Sequence, residues 1–411
     1  PTPTPTPTPA RTPLILIPGI GGSELKTAET TIWDQPDGHG GTFTHVYPAE
    51  TVWVNKFEAG KPGDDDYFDI LRMFGDGHTS QANLSLTGNL FEGYQGTIDF
   101  FLANGYVLNQ DLFLFPYDWR KDIALTVPFL DQKINEIKTQ TGSAKVDIVA
   151  HSMGGLVARN YIDDSSRALK VRKLFTLGTP HLGAVEFLKA IRYGICLKFE
   201  IGSSCFSVNP SEVKDVIQNM ISGFELVPSQ EYFNFYNGQD KDHIYPYQKN
   251  NQNLNYDQIK SLLGSDNYNI SLFSPAELLH NLDSSLPNTN GVDIINIAGS
   301  GRPTLGQIIE KSIKDFFGNT IKEKDGFTIN GDQTVPLFSA SLIDSSRNKS
   351  LLGNAKVFYT NQEHGALVAS GPGLNLVKNI LNNDNQLPEG ASMTPYSFSG
   401  TKVSVHSPVN I

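Results

Sequence analysis

The chain has 411 residues, of which 39% are hydrophobic and 18% charged, and its formal net charge is −11. That is apolar material for one large core or two moderate ones, and an acidic balance without a basic cluster argues against a nucleic-acid surface or a polybasic membrane anchor. No run reaches the ~18 apolar residues of a transmembrane helix, and no charged-then-apolar signal segment occurs.

The first element is the repeat Pro1-Thr2-Pro3-Thr4-Pro5-Thr6-Pro7-Thr8-Pro9, an extended spacer with nothing to bury, which makes residues 1–12 a linker. Such spacers hold domains away from a surface, so a secreted or cell-surface protein of bacterial origin is the expectation. Leu14-Ile15-Leu16-Ile17 reads as a central parallel strand feeding the loop Pro18-Gly19-Ile20-Gly21-Gly22-Ser23. Residues 24–92 show no sustained period and read as an irregular insertion; its acids Asp64-Asp65-Asp66 fit a solvated turn better than a Ca²⁺ site. A helix is expected where Ile98, Phe101 and Leu102 follow Tyr94, then a strand over Asp111 to Tyr117. Val127, Leu130, Ile134 and Ile137 mark an amphipathic helix packed on a sheet.

Val146 to Ala150 is a buried strand that turns at Ser152 into a helix carrying Met153, Leu156, Val157, Tyr161 and Ile162. This strand–turn–helix is a nucleophile elbow, with the small residues Ala150 and Gly154 permitting a tight turn. Val171 to Leu177 is the next strand. Residues 184–290 lose the alternation and read as a second insertion with helical pieces and exposed aromatics, among them Tyr232, Phe233, Phe235 and Tyr236. Its neighbourhood holds the two cysteines, Cys196 and Cys205, which either close a short disulfide loop, at a gain of roughly 2 to 3 kcal/mol, or are separate buried thiols. Strands resume at Val292 to Ala298 and Ala355 to Tyr359, and Leu374, Val377, Ile380 and Leu381 give a last helix. The hydrolase-like unit is thus 13–385, a mostly parallel α/β sheet flanked by helices with cap and lid insertions, and 386–411 is a tail or the start of another domain. Within that tail Thr401 to His406 alternates like an edge strand.

A serine nucleophile needs a histidine to take its proton and a carboxylate to orient that histidine. Asp332 in Gly331-Asp332-Gln333-Thr334-Val335-Pro336 and His364 in Glu363-His364-Gly365-Ala366 follow Ser152 in the order of α/β-hydrolases. Asp332 is expected directly after a strand, where it reaches the same sheet edge. Asp293 inside an apolar strand and Asp325 in a loop are weaker acids for the task. Among nine histidines, His151 is expected to pack under the strand, His181 to line the pocket, and His280 and His406 have no motif around them. The backbone N–H groups of Ile20 and Met153 are the expected oxyanion donors. Trp33, Trp53 and Trp119 suit an acyl pocket, an interfacial anchor or plain core packing.

Pro116-Tyr117-Asp118-Trp119-Arg120, Ala150-His151-Ser152-Met153-Gly154-Gly155, Gly178-Thr179-Pro180-His181-Leu182-Gly183 and Gly331 to Pro336 together resemble the lecithin:cholesterol acyltransferase family, which includes lysosomal phospholipase A2. Val52 to Asn55, Tyr67 to Leu71 and Phe224 to Ser229 are weaker family segments, and the resemblance covers roughly 13–385. It implies an α/β-hydrolase with a membrane-binding cap and mobile lid, acting on acyl esters of lipids. By motif match Ser152 is the nucleophile, Asp332 the acid and His364 the base, with Ile20 and Met153 supplying the oxyanion amides. Trp53, Trp119 and His181 are the expected substrate-binding residues. No metal and no cofactor is required, and transient contact with a lipid surface is implied. Two departures are Ala150 at the start of the elbow and Gln333 where the family turn has Gly; the cap segments match the vertebrate members hardly at all. A carboxylesterase, triacylglycerol lipase or thioesterase would carry the same triad, and a non-catalytic surface-binding module on the same fold is the alternative of another class.

Overall fold

The computed structural model describes residues 11–36, 42–59, 66–195, 208, 210–235, 245–284, 289–314, 320–344, 349–350 and 353–398. Pro1 to Pro9, Asp64, Asp65, Cys196, Cys205, Tyr236 and Thr401 to His406 lie outside these residues.

Seven strands make the central sheet: β1 (Leu14–Ile17), β2 (Leu112–Leu114), β3 (Val146–His151), β4 (Val171–Leu177), β5 (Asp293–Gly299), β6 (Lys356–Thr360) and β7 (Ala391–Ser392). Their spatial order is β7-β6-β5-β4-β3-β1-β2, parallel throughout except for the antiparallel β6·β7 pair. All residues of β1 and β3 are buried, which is why β1 reads as an unbroken apolar run and β3 as one broken near its start only by Asp147, whose carboxylate pairs with Arg172. Alternate β1 side chains feed opposite layers: Ile15 and Ile17 join one core, Leu14 and Leu16 the other. The first layer includes helices α2 (Ile123–Thr141) and α3 (Met153–Asp163); the second includes α1 (Gln95–Ala103) and α6 (Pro372–Leu381). In α2 the Asp122 carboxylate caps the Ala124 N–H and Gly142 ends the helix at φ 70°. Val127, Leu130, Ile134 and Ile137 of α2 are all buried, each contributing about 1.5 to 3 kcal/mol of apolar transfer energy.

Three expectations change. Residues 24–92 are not irregular: Ser23–Thr27 pairs antiparallel with Thr51–Trp53 and Leu84–Leu90, and Thr31–Pro36 forms a hairpin with Thr42–Tyr47. The alternation was illegible because these strands are short and their registers are broken between Leu25 and Lys26 and between Ser23 and Leu25. In the second insertion, which carries α4 (Val185–Tyr193) and α5 (Pro210–Ile217), the aromatics among the described residues are not exposed. Tyr232 is buried with its ring 4.7 Å from Phe338, and the half-buried Phe233 and Phe235 pack on Tyr256 and Phe338.

The third change concerns the acid. Arg302–Lys314 and Thr320–Gly331 form a long antiparallel hairpin that belongs to a separate four-stranded sheet. Its run of Glu310, Lys311, Lys322, Glu323 and Lys324 hides the apolar alternation, and a bulge at Leu305/Gln307 interrupts it. Asp325 therefore lies in a strand, not a loop, and Asp332 follows this hairpin instead of a central strand. The hairpin returns Asp332 to the central sheet, where it packs against Gly299 at the end of β5. From 386 to 398 the chain also remains on the body: β7 extends the sheet, and the Tyr396 N–H donates to Ser300 Oγ at 3.0 Å while its carbonyl accepts from Asn330 Nδ2 at 3.0 Å.

The hairpin is tied to α4 by a buried polar cluster. Glu310 accepts from Arg192 (3.1 Å), Tyr193 (2.7 Å) and Tyr247 (2.8 Å), and Arg192 also pairs with Asp266 at 2.8 Å. Burial pushes the Glu310 carboxyl up, but these hydrogen bonds and the guanidinium charge outweigh it and bring the pKa down from 4.5 to about 2. A depressed carboxylate stabilises the fold above its unfolded pKa and loses that contribution as pH falls through the folded one. Stability is expected to drop between pH 4.5 and about 2, and Glu310→Gln to flatten this window at a cost near neutrality of about 3 kcal/mol. Urea midpoints measured across that range check both.

Candidate active site

Ser152 sits between β3 and α3 at φ 52° and ψ −126°, a conformation that costs a residue with a β-carbon about 1 to 3 kcal/mol. The surroundings enforce it: the Ser152 N–H donates to the Leu177 carbonyl at 2.9 Å and the Ser152 carbonyl accepts from Gly155 at 2.9 Å. The turn lifts Oγ to 2.9 Å from His364 Nε2, and His364 Nδ1 lies 2.8 Å from Asp332 Oδ2. Asp332 is fully buried, and its other oxygen accepts the N–H groups of Thr334 (3.0 Å) and Val335 (2.7 Å). With three donors converging on the carboxylate, Nδ1 carries the imidazole proton and Nε2 presents its lone pair to the serine hydroxyl. The structure thus brings Ser152, Asp332 and His364 into one line of hydrogen bonds.

This line lies over Gly178, the first residue after β4. At Gly178 φ is +58°, and a β-carbon there would stand 2.7 Å from Leu367, 3.0 Å from Asp332 Oδ2 and 3.1 Å from His364 Nδ1. Gly178→Ala is therefore expected to push the imidazole off the serine and lower kcat about 100-fold, the order of effect of a 1 Å misplacement. Kinetics beside a far-UV CD spectrum test it, and a kcat within threefold of the parent would exclude it.

The loop after β1 approaches the serine so closely that a β-carbon on Gly19 would come within 2.8 Å of Ser152 Cβ. The N–H groups of Ile20 and Met153 have no acceptor among the described residues. Met153 is the first residue of α3, so its N–H is an orphan of the helix terminus and lies in the positive end of the helix dipole. Four aromatic side chains brace the loop. Tyr94 Oη accepts from the Gly19 N–H (2.7 Å), and Tyr117 Oη donates to the Pro18 carbonyl (2.9 Å). Trp53 Nε1 donates to the Gly21 carbonyl (2.7 Å), and Trp119 Nε1 to that of Ser23 (3.1 Å). The Pro116 to Arg120 motif is thereby explained as scaffolding: behind Tyr117 and Trp119, the fully buried Arg120 binds Asp118 with both arms at 2.9 Å and reaches the Leu71 carbonyl at 3.2 Å.

An apolar cavity of about 260 Å³ is lined by Ile20, by Trp53, Trp119 and Phe68, and by Ile217 and Met220 of the second insertion. Trp53 and Trp119 line it; Trp33 and His181 do not. His181 is buried on the other side of the loop, its Nδ1 3.3 Å from the Arg159 guanidinium of α3, so the expectation that it lines the pocket is corrected. The loop's polar groups turn inward, where Ser339 Oγ accepts the Leu182 N–H and donates to the Gly183 carbonyl. His280 is likewise remote, its Nε2 2.8 Å from the Glu225 carbonyl.

His151 does not pack under the strand. Its ring lies beside that of His364, with centroids 4.7 Å apart, and bonds Tyr94 Oη and the His364 carbonyl. Burial, followed by the repulsion of a charged His364, holds the His151 pKa well below 6.5. Sequence reasoning missed Tyr94 and Tyr117 as parts of the site. A tyrosine inside an otherwise apolar stretch is the available signal, because a buried phenol needs a partner.

Residues 75–274 match the lecithin:cholesterol acyltransferase family profile. Among curated proteins, phospholipase A(1) LCAT3 of Arabidopsis thaliana is 32% identical over 95 residues, 22% of this chain and 21% of that protein. An uncharacterised protein of Saccharomyces cerevisiae is 33% identical over 87 residues, 21% of this chain and 13% of its own. The chain thus spans about a fifth or less of the curated relatives that it matches. Among solved structures, a chain of the Tle4–Tli4 complex aligns over 92% of this chain and 99% of its own, with a TM-score of 0.51 at 15% identity, a likeness of fold. The parallel sheet and the elbow at Ser152 give the chain an α/β-hydrolase fold, and over residues 75–274 its sequence is similar to the lecithin:cholesterol acyltransferase family.

Proposed function

We propose that the chain is a serine acylhydrolase or acyltransferase that cleaves acyl esters of lipids through an acyl-enzyme on Ser152. The observation that carries this reading is the line Asp332–His364–Ser152, with the loop residue Ile20 lining an apolar cavity. His364 takes the Ser152 proton as Oγ attacks the ester carbonyl, and the Ile20 and Met153 amides receive the negative charge on the carbonyl oxygen. His364 then returns the proton to the departing alcohol. Water or an acceptor alcohol, deprotonated by the same imidazole, releases the acyl group. Trp53 and Trp119 are the walls along which an acyl chain would lie.

The phospholipase name of the Arabidopsis relative supports a phospholipid substrate. Exposed apolar groups support transient docking on a lipid surface. Phe57 is 76% exposed, next to Lys56, whose ammonium pairs with Glu92 beside the cavity-lining Phe91; Ile32 and Val46 face each other, exposed, on the hairpin. The Pro-Thr repeat supports a secreted or surface-held setting.

Fluorophosphonate labelling of the intact chain, followed by product analysis on phospholipid vesicles and short soluble esters, with and without an alcohol, tests the proposal. The expected result is Ser152 labelled, fatty acid released from vesicles, and an acyl ester formed when alcohol is present. Turnover of short esters alone would leave a carboxylesterase. Absence of labelling would overturn the serine mechanism and favour a binding module.

A further inference from the structure

Behind the serine, a second line of hydrogen bonds runs through side chains to which the acyl-transfer steps give no part. The Gly19 N–H donates to Tyr94 Oη at 2.7 Å; Tyr94 Oη lies 2.7 Å from His151 Nδ1; and His151 Nε2 lies 3.0 Å from the carbonyl oxygen of His364. The proton positions follow from the ends. The His364 carbonyl only accepts, so His151 Nε2 carries a proton and Nδ1 does not. Nδ1 must then accept, so the Tyr94 hydroxyl donates to it and receives the Gly19 N–H on its oxygen. Every donor and acceptor is used once, with one direction of donation, from the loop after β1 to the backbone of the histidine that faces Ser152.

We propose that Tyr94 and His151 are positioning residues that tie the oxyanion loop to the catalytic histidine, so that donor and base are held at one spacing across Ser152. The inference rests on the serine acyl-transfer reading of the site. Two consequences follow from the geometry. The Gly19 N–H is consumed by Tyr94, which leaves Ile20 as the loop's oxyanion donor and fixes the register of that loop. The His364 backbone is gripped at both ends, its N–H by the Asp332 carbonyl at 2.8 Å and its carbonyl by His151, with a longer contact from the Leu367 N–H at 3.4 Å. Rotation of the imidazole therefore occurs on a fixed backbone. The groups facing His151 are Tyr94 from the start of α1, Gly19 from the loop, and His364 with Ser152 and Asp332 behind it. A neutral His151 adds no charge to the imidazolium that forms 4.7 Å away during acyl transfer.

The test compares Tyr94→Phe, His151→Leu, His151→Gln and the double variant Tyr94→Phe/His151→Leu in the full chain, by kcat and KM on a short soluble ester and by the fluorophosphonate labelling rate. A glutamine offers an acceptor and a donor at about the spacing of the two ring nitrogens. Tyr94→Phe and His151→Leu are expected to lower kcat and labelling about 10- to 100-fold with KM within twofold, and His151→Gln to recover most of the loss. Because the line acts as a unit, the double variant should fall no further than the worse single one. Multiplying losses, or a His151→Gln as slow as His151→Leu with both folded by CD, would overturn the tie. So would a kcat within twofold of the parent in both single variants. A parent chain that labels at Ser152 while the variants behave so refutes only the tie; a parent that does not label refutes the reading beneath it.

Discussion

Ser152→Ala is expected to lower kcat about 10⁶-fold while leaving the fold intact, the scale seen when a nucleophile that works as a unit with its base is removed. The separation of activity from stability follows from how the elbow is built. The φ of 52° at this position is imposed by the Leu177 carbonyl, the start of α3 and the Gly19 loop, none of which uses the hydroxyl. Alanine meets the same backbone strain as serine and loses one hydrogen bond, to His364 Nε2. The melting temperature should therefore move by a few degrees at most, while phosphonate labelling disappears. A residual rate of about 10³ to 10⁴ over water would remain from the amides of Ile20 and Met153, since these do not depend on the serine side chain. Turnover and labelling on one preparation, with a thermal melt alongside, decide the matter. Esterase activity at the parental rate in Ser152→Ala would move the chemistry elsewhere in the molecule.

The sequence made these residues legible because each lies where a strand of high apolar content ends in a small-residue turn. Fully buried strands need no alternation, so Leu14 to Ile17 and Val146 to His151 announce themselves, and the glycine loop and the serine follow at their carboxyl ends, while the histidine comes after β6. Asp332 was found by its motif, yet its support was not: the hairpin that carries it reads as a charged run, since Glu310 is buried only by virtue of Arg192, Tyr193 and Tyr247, which come from other parts of the chain. His181 shows the converse. Its position after β4 resembles that of a pocket residue, but the side chain turns inward to Arg159, a direction that no local pattern records. The short strands between 23 and 90 had too few residues for a period, and Tyr94 acquired its part only through contacts with Gly19 and His151, 75 and 57 residues away. Long-range partners, not local propensity, were what one-dimensional reading lacked.

Asp332→Asn is expected to reduce kcat by roughly 10⁴ although it hardly changes the size of the side chain. The reason lies in the two backbone donors on Oδ1. Thr334 and Val335 point their N–H groups at that atom from 3.0 and 2.7 Å, so an asparagine must place its carbonyl oxygen there and turn its amide nitrogen toward His364. The amide then donates to Nδ1 where the carboxylate accepted from it across 2.8 Å. His364 is forced into the opposite tautomer, with the proton on Nε2 facing Ser152 Oγ, and it no longer accepts the serine proton. The substitution thus reverses one hydrogen bond and, through the ring, a second one, while the buried turn from Gly331 to Pro336 stays paired. Because the substrate site is untouched, KM should remain within about twofold and phosphonate labelling of Ser152 should slow in proportion to kcat. A variant that keeps a tenth of the parental kcat, with the same KM and melting temperature, would show that the Asp332–His364 contact orients nothing the reaction needs.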